Sequence, residues 1–120
     1  MQKTVNIGEK EVEMRSTAAT AIRYRNVFHR DILKELSEIN PEKIDAEVIE
    51  KIQQLGFIMA KTAEGVNMTQ LTDDDYMDWL DQFDSLEMMQ AAKDIVDVYI
   101  GGKASESELK KRMAKTPGGK

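Results

Sequence analysis

Seven carboxylates lie in the twenty residues from Leu71 to Gln90, LTDDDYMDWLDQFDSLEMMQ, and oxygen ligands at this density could serve a calcium loop. Such a loop needs ligands at fixed steps, a glycine at its sharp turn and a glutamate that closes the twelve-residue ring. Counted from Asp73, the glycine position holds Asp78 and the closing position holds Asp84. The spacing therefore argues against a calcium site, and no metal site is predicted.

The triplet Asp84-Ser85-Leu86 suggests a different chemistry, because acyl-carrier proteins attach their prosthetic arm to a serine in this setting at a helix start. Those proteins need further helices after the serine to enclose the arm, whereas here one predicted helix and a polar tail follow. The simpler interpretation is that Ser85 is an N-cap whose hydroxyl accepts a hydrogen bond from a free backbone amide in the first turn of the helix. An acyl-carrier-like protein remains the less favoured alternative.

The sequence contains few residues that are suited to nucleophilic or acid–base catalysis. His29 is the only histidine, there is no cysteine, and no glycine-rich phosphate loop is present. The carboxylates lie in charged stretches, whereas a catalytic pair needs an apolar pocket that shifts the pKa of one member. We therefore expect a protein that is not an enzyme and that uses no cofactor.

The composition is that of a globular domain, since 41% of the 120 residues are hydrophobic and 32% are charged. Neither an N-terminal apolar segment nor a long uncharged run is present, so we predict no signal peptide, no membrane span and a cytoplasmic location. The net charge of −5 is unevenly spread, because residues 72–97 hold nine acids against one base while residues 101–120 hold six bases against two acids. An acidic body repels nucleic acid, so protein partners are expected.

The first fifteen residues alternate between apolar and polar side chains on both sides of Gly8. This period of two predicts a β-hairpin over residues 1–15. A lone hairpin is marginally stable in water, so it must pack on another element. Its exposed edge is a candidate docking strip for a neighbouring copy.

Residues 16–100 have the apolar period of amphipathic helices and predict a helical body. The first helix is expected over residues 16–39, with Pro41 ending it, and the second over residues 45–64, with Gly65 as its stop. On the first helix, the basic side chains lie opposite the apolar face and are expected to meet the acidic region between Asp73 and Asp84 of a neighbouring copy. These basic residues are Arg23, Arg30 and Lys34.

Two more helices follow. Thr72 and Asp75 have the spacing of a capping box, and Asp84 with Ser85 can cap a last helix that ends near Gly101. Residues 101–120 predict a flexible basic tail, with at most a weak helix. The expected fold is therefore mainly α: about four helices, a short N-terminal β-hairpin and a flexible C-terminal tail.

Phe57 is the most informative apolar residue of the second helix. It lies away from that helix's apolar stripe, near Glu50 and Lys61, with Ile49 and Ile58 beside it. An aromatic side chain on a polar face is often a contact point, so Phe57, Ile49 and Ile58 are candidate protein contacts. The other interpretation, in which the hairpin or another helix covers Phe57, stays equally open.

Together, the segments KTVNIGEKEVEMR, STAATAIRYRNVFHRDILKEL and DDDYMDWLDQFD resemble the tail assembly chaperones of long-tailed phages and Gram-positive prophages. The similarity covers nearly all of residues 1–100. It implies a late phage protein that is not an enzyme, acts in the cytoplasm of the bacterial host and is absent from the mature virion. Its implied partners are the tape measure protein, tail tube subunits and further copies of itself in a ring or spiral.

The resemblance also implies that a longer product is made by ribosomal frameshift near the end of the short reading frame. The last three residues, Gly118-Gly119-Lys120, can be encoded by a run of G followed by a run of A, which is the type of track that such a frameshift uses. The main alternative function is that of a small phage regulatory or anti-defence interaction protein.

Overall fold

A computed structural model describes residues 1–39, 43 and 45–101 of the chain. Within them, the elements are β1 (Gln2–Ile7), β2 (Lys10–Arg15), α1 (Thr20–Phe28), α2 (Ile32–Ser37), α3 (Ala46–Glu64), a 3-10 turn (Met68–Gln70), α4 (Asp73–Leu80) and α5 (Ser85–Tyr99). The mainly α class with an N-terminal hairpin is confirmed. The predicted stop at Pro41 and the tail from Gly102 onwards lie outside the described residues.

The hairpin forms as its alternating pattern predicts. The strands β1 and β2 pair antiparallel, with Val5 opposite Val12, and Gly8 takes the left-handed conformation (φ 64°) that the tight turn requires. Val5, Ile7 and Met14 point to one face and are buried against α3 and α5. The hairpin therefore shares one core with the helices.

The periodicity predicts a single first helix, and this prediction is wrong. Two shorter helices, α1 and α2, form in its place. His29 has a left-handed backbone (φ 60°), and its amide donates to the carbonyl of Arg25 at 2.8 Å, which ends α1. Asp31 then caps α2, since its carboxylate accepts from the amides of Leu33 (3.0 Å) and Lys34 (3.3 Å). A strong local cap next to a left-handed residue outweighs helical periodicity here.

The start of α1 also differs from the prediction. The helix begins at Thr20 and not at residue 16, and the Thr17 hydroxyl accepts from the amide of Ala19 at 3.1 Å. Ser16 has another task, because its hydroxyl donates to the carbonyl of Tyr99 at 3.2 Å. That hydrogen bond fixes the C-terminal end of α5 to the end of the hairpin.

The centre of the fold is α3, whose length the sequence predicts well. The Asp45 carboxylate caps its first turn by accepting from the amide of Val48 at 3.0 Å, and Gly65 ends it with φ 76°. The hairpin and α5 pack on one flank of α3, while α1, α2 and α4 also contact it. Gly56 lies where α3 packs tightly against both α5 and β2. A Cβ at this position would stand 3.3 Å from Ile95 Cδ1 and 3.4 Å from Met14 Cε.

The last two helices confirm one predicted cap and correct another. Thr72 and Asp75 form the expected capping box at the start of α4. At the start of α5, the cap is the Asp84 carboxylate, which accepts from the amide of Leu86 at 2.8 Å. Ser85 is the first residue inside the helix and not the N-cap, because the backbone is still extended at Asp84 (φ −77°, ψ 142°) and becomes helical at Ser85.

Candidate functional site

The three apolar contact candidates lie in the interior. The exposed fraction is 0% for Phe57, 8% for Ile49 and 0% for Ile58. Phe57 stacks edge to face on Tyr76 and Trp79, with ring centroids 5.3 Å and 5.7 Å away. The expectation that these side chains are surface contacts is wrong, because other helices cover the polar-looking side of α3.

An aromatic cluster accounts for this coverage. Its rings come from α1, α3 and α4 and from the turn after α4, and neighbouring rings lie at the tilted or edge-to-face angles that aromatic pairs favour. Lys61 Nζ stands 5.8 Å above the Phe57 ring, so its stem covers the rim of the cluster while its charge stays near water. The members are Tyr24, Phe28, Phe57, Tyr76, Trp79 and Phe83.

Next to the cluster lies a network of polar side chains that includes Arg30, one of the three basic contact candidates. Arg30 pairs with Glu35 at 3.2 Å, and Lys51 approaches the other oxygen of Glu35 at 3.4 Å. The Tyr24 hydroxyl lies 3.1 Å from Glu35 Oε1 and 3.3 Å from Gln54 Oε1, and burial raises the pKa of Tyr24 to about 12. Arg30 thus contacts Tyr24 of α1 and Glu35 of α2, and these two groups are linked in turn to Gln54 and Lys51 of α3.

The other two basic candidates have different surroundings. Arg23 is half-buried and donates to the hydroxyl of Thr17 at 3.4 Å. Lys34 is exposed on α2. Contact with the acidic region of a neighbouring copy stays a prediction, and Lys34 is the candidate that is best placed for it.

The Tyr76 hydroxyl is buried and has no hydrogen-bond partner among the residues that the structure describes. Burial raises the pKa of Tyr76 above its usual range, with the Glu50 carboxylate adding to the shift. A buried hydroxyl without a partner carries the cost of its lost hydration. Its ring, in contrast, packs on both Phe28 and Phe57.

We therefore expect Tyr76→Phe to leave the free energy of unfolding unchanged or to raise it by about 1 kcal/mol, because the ring contacts stay and the unpaired hydroxyl is removed. Chemical denaturation of the two proteins measures the difference. Tyr24→Phe is the matched control and should lower stability, since the Tyr24 hydroxyl has partners. A large loss for Tyr76→Phe would contradict this assignment.

The described residues form an apolar groove between α2 and α5, here called the α2–α5 groove. Its volume is about 670 Å³. At its walls, Leu33 is 60% exposed and Met89 is 51% exposed. The full lining is Leu33, Leu36, Ser37, Ile39, Ile52, Met89, Ala92, Lys93, Val96, Asp97, Tyr99 and Ile100.

The groove follows from the width of the apolar side of α5. Met88, Ile95 and Val98 are buried in the core, whereas Met89 and Val96 lie farther round the helix and line the groove. One helix neighbour cannot cover so wide an apolar arc. The short α2 stands beside it without filling the space.

No family model, curated protein or solved structure matches this chain.

The part of the chain that the structure describes contains neither a metal-binding group of side chains nor a membrane-spanning helix. Within residues 1–39, 43 and 45–101, no three histidine, cysteine or acidic residues stand close enough together to hold a metal ion. None of the described helices combines the length and the apolar character that crossing a bilayer requires.

Sequence reasoning missed the groove, although part of the signal was present. Met89, Val96 and Ile100 lie on the same broad apolar side of the last predicted helix as Ile95, which is buried in the core. The periodicity does not predict that Leu33 lines the groove. Its position there depends on the break at His29 and Asp31, which separates α2 from α1. The apolar side of the last predicted helix is wider than one neighbouring helix can cover, and this width is the sequence feature that indicates an open apolar surface.

Proposed function

We propose that this chain is a binding protein that receives an amphipathic helix of another protein in the α2–α5 groove, and that it acts as a tail assembly chaperone. The observation that carries the proposal is the groove itself, with apolar walls and half-exposed leucine and methionine side chains at its mouth. A helix laid in such a groove buries an apolar stripe that water would otherwise meet.

The size and chemistry of the groove suit this task. Its volume of about 670 Å³ can hold several apolar side chains. Each leucine-sized anchor that becomes buried contributes about 1.5–3 kcal/mol before the cost of association. Met89 adds adaptability, because an unbranched thioether repacks around partners of different shape. Such a site accepts many apolar helices and not one fixed sequence.

The surface charge suits a chaperone of aggregation-prone helices. A chain with a net charge of −5 keeps its complexes in solution after its apolar groove is filled. The tape measure protein of a long phage tail is the partner that the resemblance implies, with tail tube subunits and further copies of the chain as additional partners. In this proposal the protein has no enzymatic role, acts in the bacterial cytoplasm and leaves before the virion is complete.

The experiment uses overlapping synthetic peptides that cover a tape measure protein of a long-tailed phage, titrated into the full chain by calorimetry. Leu33→Asp and Met89→Asp should each weaken binding at least about tenfold, because a carboxylate would enter an apolar contact worth about 1.4 kcal/mol or more. Circular dichroism should show no loss of fold, since both side chains are largely exposed.

Two substitutions outside the groove serve as matched controls. Met77 is 52% exposed on α4 and Leu86 is 59% exposed on α5, so Met77→Asp and Leu86→Asp change the same residue types at the same exposure. Both should leave the affinity within about twofold. Binding that all four variants weaken equally would contradict the groove as the site, and a failure of every tape measure peptide to bind would contradict the tail assembly function.

A further inference from the structure

A second recess adjoins the α2–α5 groove at the end where α3 and α5 begin, and is here called the α3–α5 recess. Its volume is about 380 Å³. Ile49, Glu50 and Gln53 of α3 line it, together with Ser85 and Met89 of α5. Met89 also lines the α2–α5 groove, so the two depressions meet at this side chain.

The walls of the α3–α5 recess differ in chemistry from those of the groove. Ile49 and Met89 give it an apolar part, whereas Glu50 is exposed and Gln53 is half-buried beside them. Lysine and arginine side chains bury an aliphatic stem along apolar surface while their charged end stays in contact with water. A side chain of this kind matches both parts of the recess.

Two opposing electrostatic effects meet at this end of the molecule. The N-terminus of a helix carries a partial positive charge of about half an elementary charge, and both α3 and α5 begin here. Asp45 and Asp84 offset it, because their carboxylates accept from first-turn amides at 3.0 Å and 2.8 Å. Each of these carboxylates carries a full negative charge, so the capped helix ends are acidic.

Glu50 adds a further negative charge at the recess. The next residue, Lys51, does not neutralise it, because Lys51 pairs with Glu35 and Glu47 at 3.4 Å each. Among the described residues, the ion pairs of α3 involve Glu47, Lys51, Lys61 and Glu64 and not Glu50. The recess therefore favours a cation over an anion.

The spacing along α5 relates the recess to the groove. Ser85 lies one helical turn, or about 6 Å, before Met89, and the groove extends about 16 Å from Met89 to Ile100. A helix of about fifteen residues spans both. When its apolar anchors lie in the groove, its next turn lies over the recess.

We infer that the α3–α5 recess binds a lysine or arginine side chain of the helix that occupies the α2–α5 groove, one turn beyond the apolar anchors of that helix. The stem of the basic side chain packs on Ile49 and Met89, and its charge lies beside Glu50. The inference rests on the proposed function, because it concerns the same bound helix. It makes the preferred partner an amphipathic helix with a basic end.

Designed helical peptides of about fifteen residues, titrated into the full chain by calorimetry, test the inference. Each contains leucines at helical spacing and a single arginine, which stands one turn before the first leucine in one peptide and one turn after the last in the other. In the reference peptides, glutamine replaces the arginine. We expect at least one arginine peptide to bind about threefold more tightly than its reference, as suits a partly exposed ion pair.

Two variants of the protein locate the effect. Glu50→Lys should abolish the preference for arginine, and it should bind a peptide with glutamate at that position more tightly than the unmodified chain does. Glu11→Lys is the matched control, because it changes the net charge equally at an exposed position of the hairpin and should keep the preference. Circular dichroism should show the same fold for both variants, since both glutamates are exposed.

Arginine peptides that bind no more tightly than their references would overturn the inference. A preference that survives Glu50→Lys, or that Glu11→Lys also removes, would do the same. The glutamine peptides report on the groove separately, because they need only its apolar contacts. If they bind and Leu33→Asp weakens them, binding in the groove stands even when arginine brings no gain, whereas a failure of every peptide to bind would contradict both proposals.

Discussion

Replacing Phe57 with alanine is expected to lower the free energy of unfolding by about 3–5 kcal/mol, although the sequence places this residue on a polar face. The ring is fully buried and lies within 5.3–6.3 Å of three other aromatic rings, those of Phe28, Tyr76 and Trp79. Alanine would leave a cavity where α1, α3 and α4 meet. Domains of this size are stabilised by only about 5–15 kcal/mol, so the loss would be a large share of the total.

Urea unfolding followed by Trp79 fluorescence measures this change, because the indole is itself part of the cluster. Met77→Ala is the control, since Met77 is 52% exposed on α4 and its truncation should alter stability by about 0.5 kcal/mol or less. The alternative role of Phe57 as an intermolecular contact makes the opposite prediction. Unchanged stability together with altered self-association in Phe57→Ala would reinstate that role.

Replacing Met14 with lysine is expected to unfold the whole chain at room temperature. Met14 is fully buried in β2, and its methyl group stands 3.4 Å from the place where a Cβ on Gly56 would lie. Among the described residues, the buried core contains no acidic side chain that could pair with an ammonium group. Burying an unpaired charge costs several kcal/mol. Leaving Met14 out of the core would also remove the hairpin from α3.

Thermal unfolding monitored by circular dichroism at 222 nm (a helix-sensitive wavelength) measures the effect on the helices. Glu11→Lys is the matched control on the same strand, because Glu11 is exposed and its replacement should change the melting temperature by only a few degrees. Helices that keep their full signal and melting temperature in Met14→Lys would show that residues 1–15 are a separate unit. The shared core predicts instead that hairpin and helices unfold together.

These two substitutions also separate stability from binding. Phe57 and Met14 belong to the core, whereas Leu33 and Met89 lie in the α2–α5 groove and are half-exposed or more. Core variants should therefore lose stability, and groove variants should keep their fold and lose partner binding. This difference allows the proposed chaperone function to be tested without unfolding the protein.

Local signals in the sequence were enough for several elements. The alternation around Gly8 determines the hairpin, and Asp45 and Gly65 determine where α3 starts and ends. The capping box at Thr72 and Asp75 fixes the start of α4. Each of these features depends on residues a few positions apart, so no knowledge of the tertiary structure was needed.

Other features depend on several local preferences in competition. Periodicity extends an apolar face through His29, but the left-handed backbone there and the cap at Asp31 split the helix in two. The apolar period continues across this break, so periodicity alone could not reveal it. The consequence is large, because the reoriented α2 supplies Leu33 and Leu36 to the groove.

The sequence by itself determined which side chains of this protein are apolar and which secondary-structure elements they form. Only the tertiary structure decided which apolar surfaces are covered: α1 and α4 enclose Phe57, while α2 leaves part of α5 open beside Met89. The physical reason is that burial depends on contacts between residues far apart in the chain. The periodicity within one helix contains no information about the neighbours that cover it.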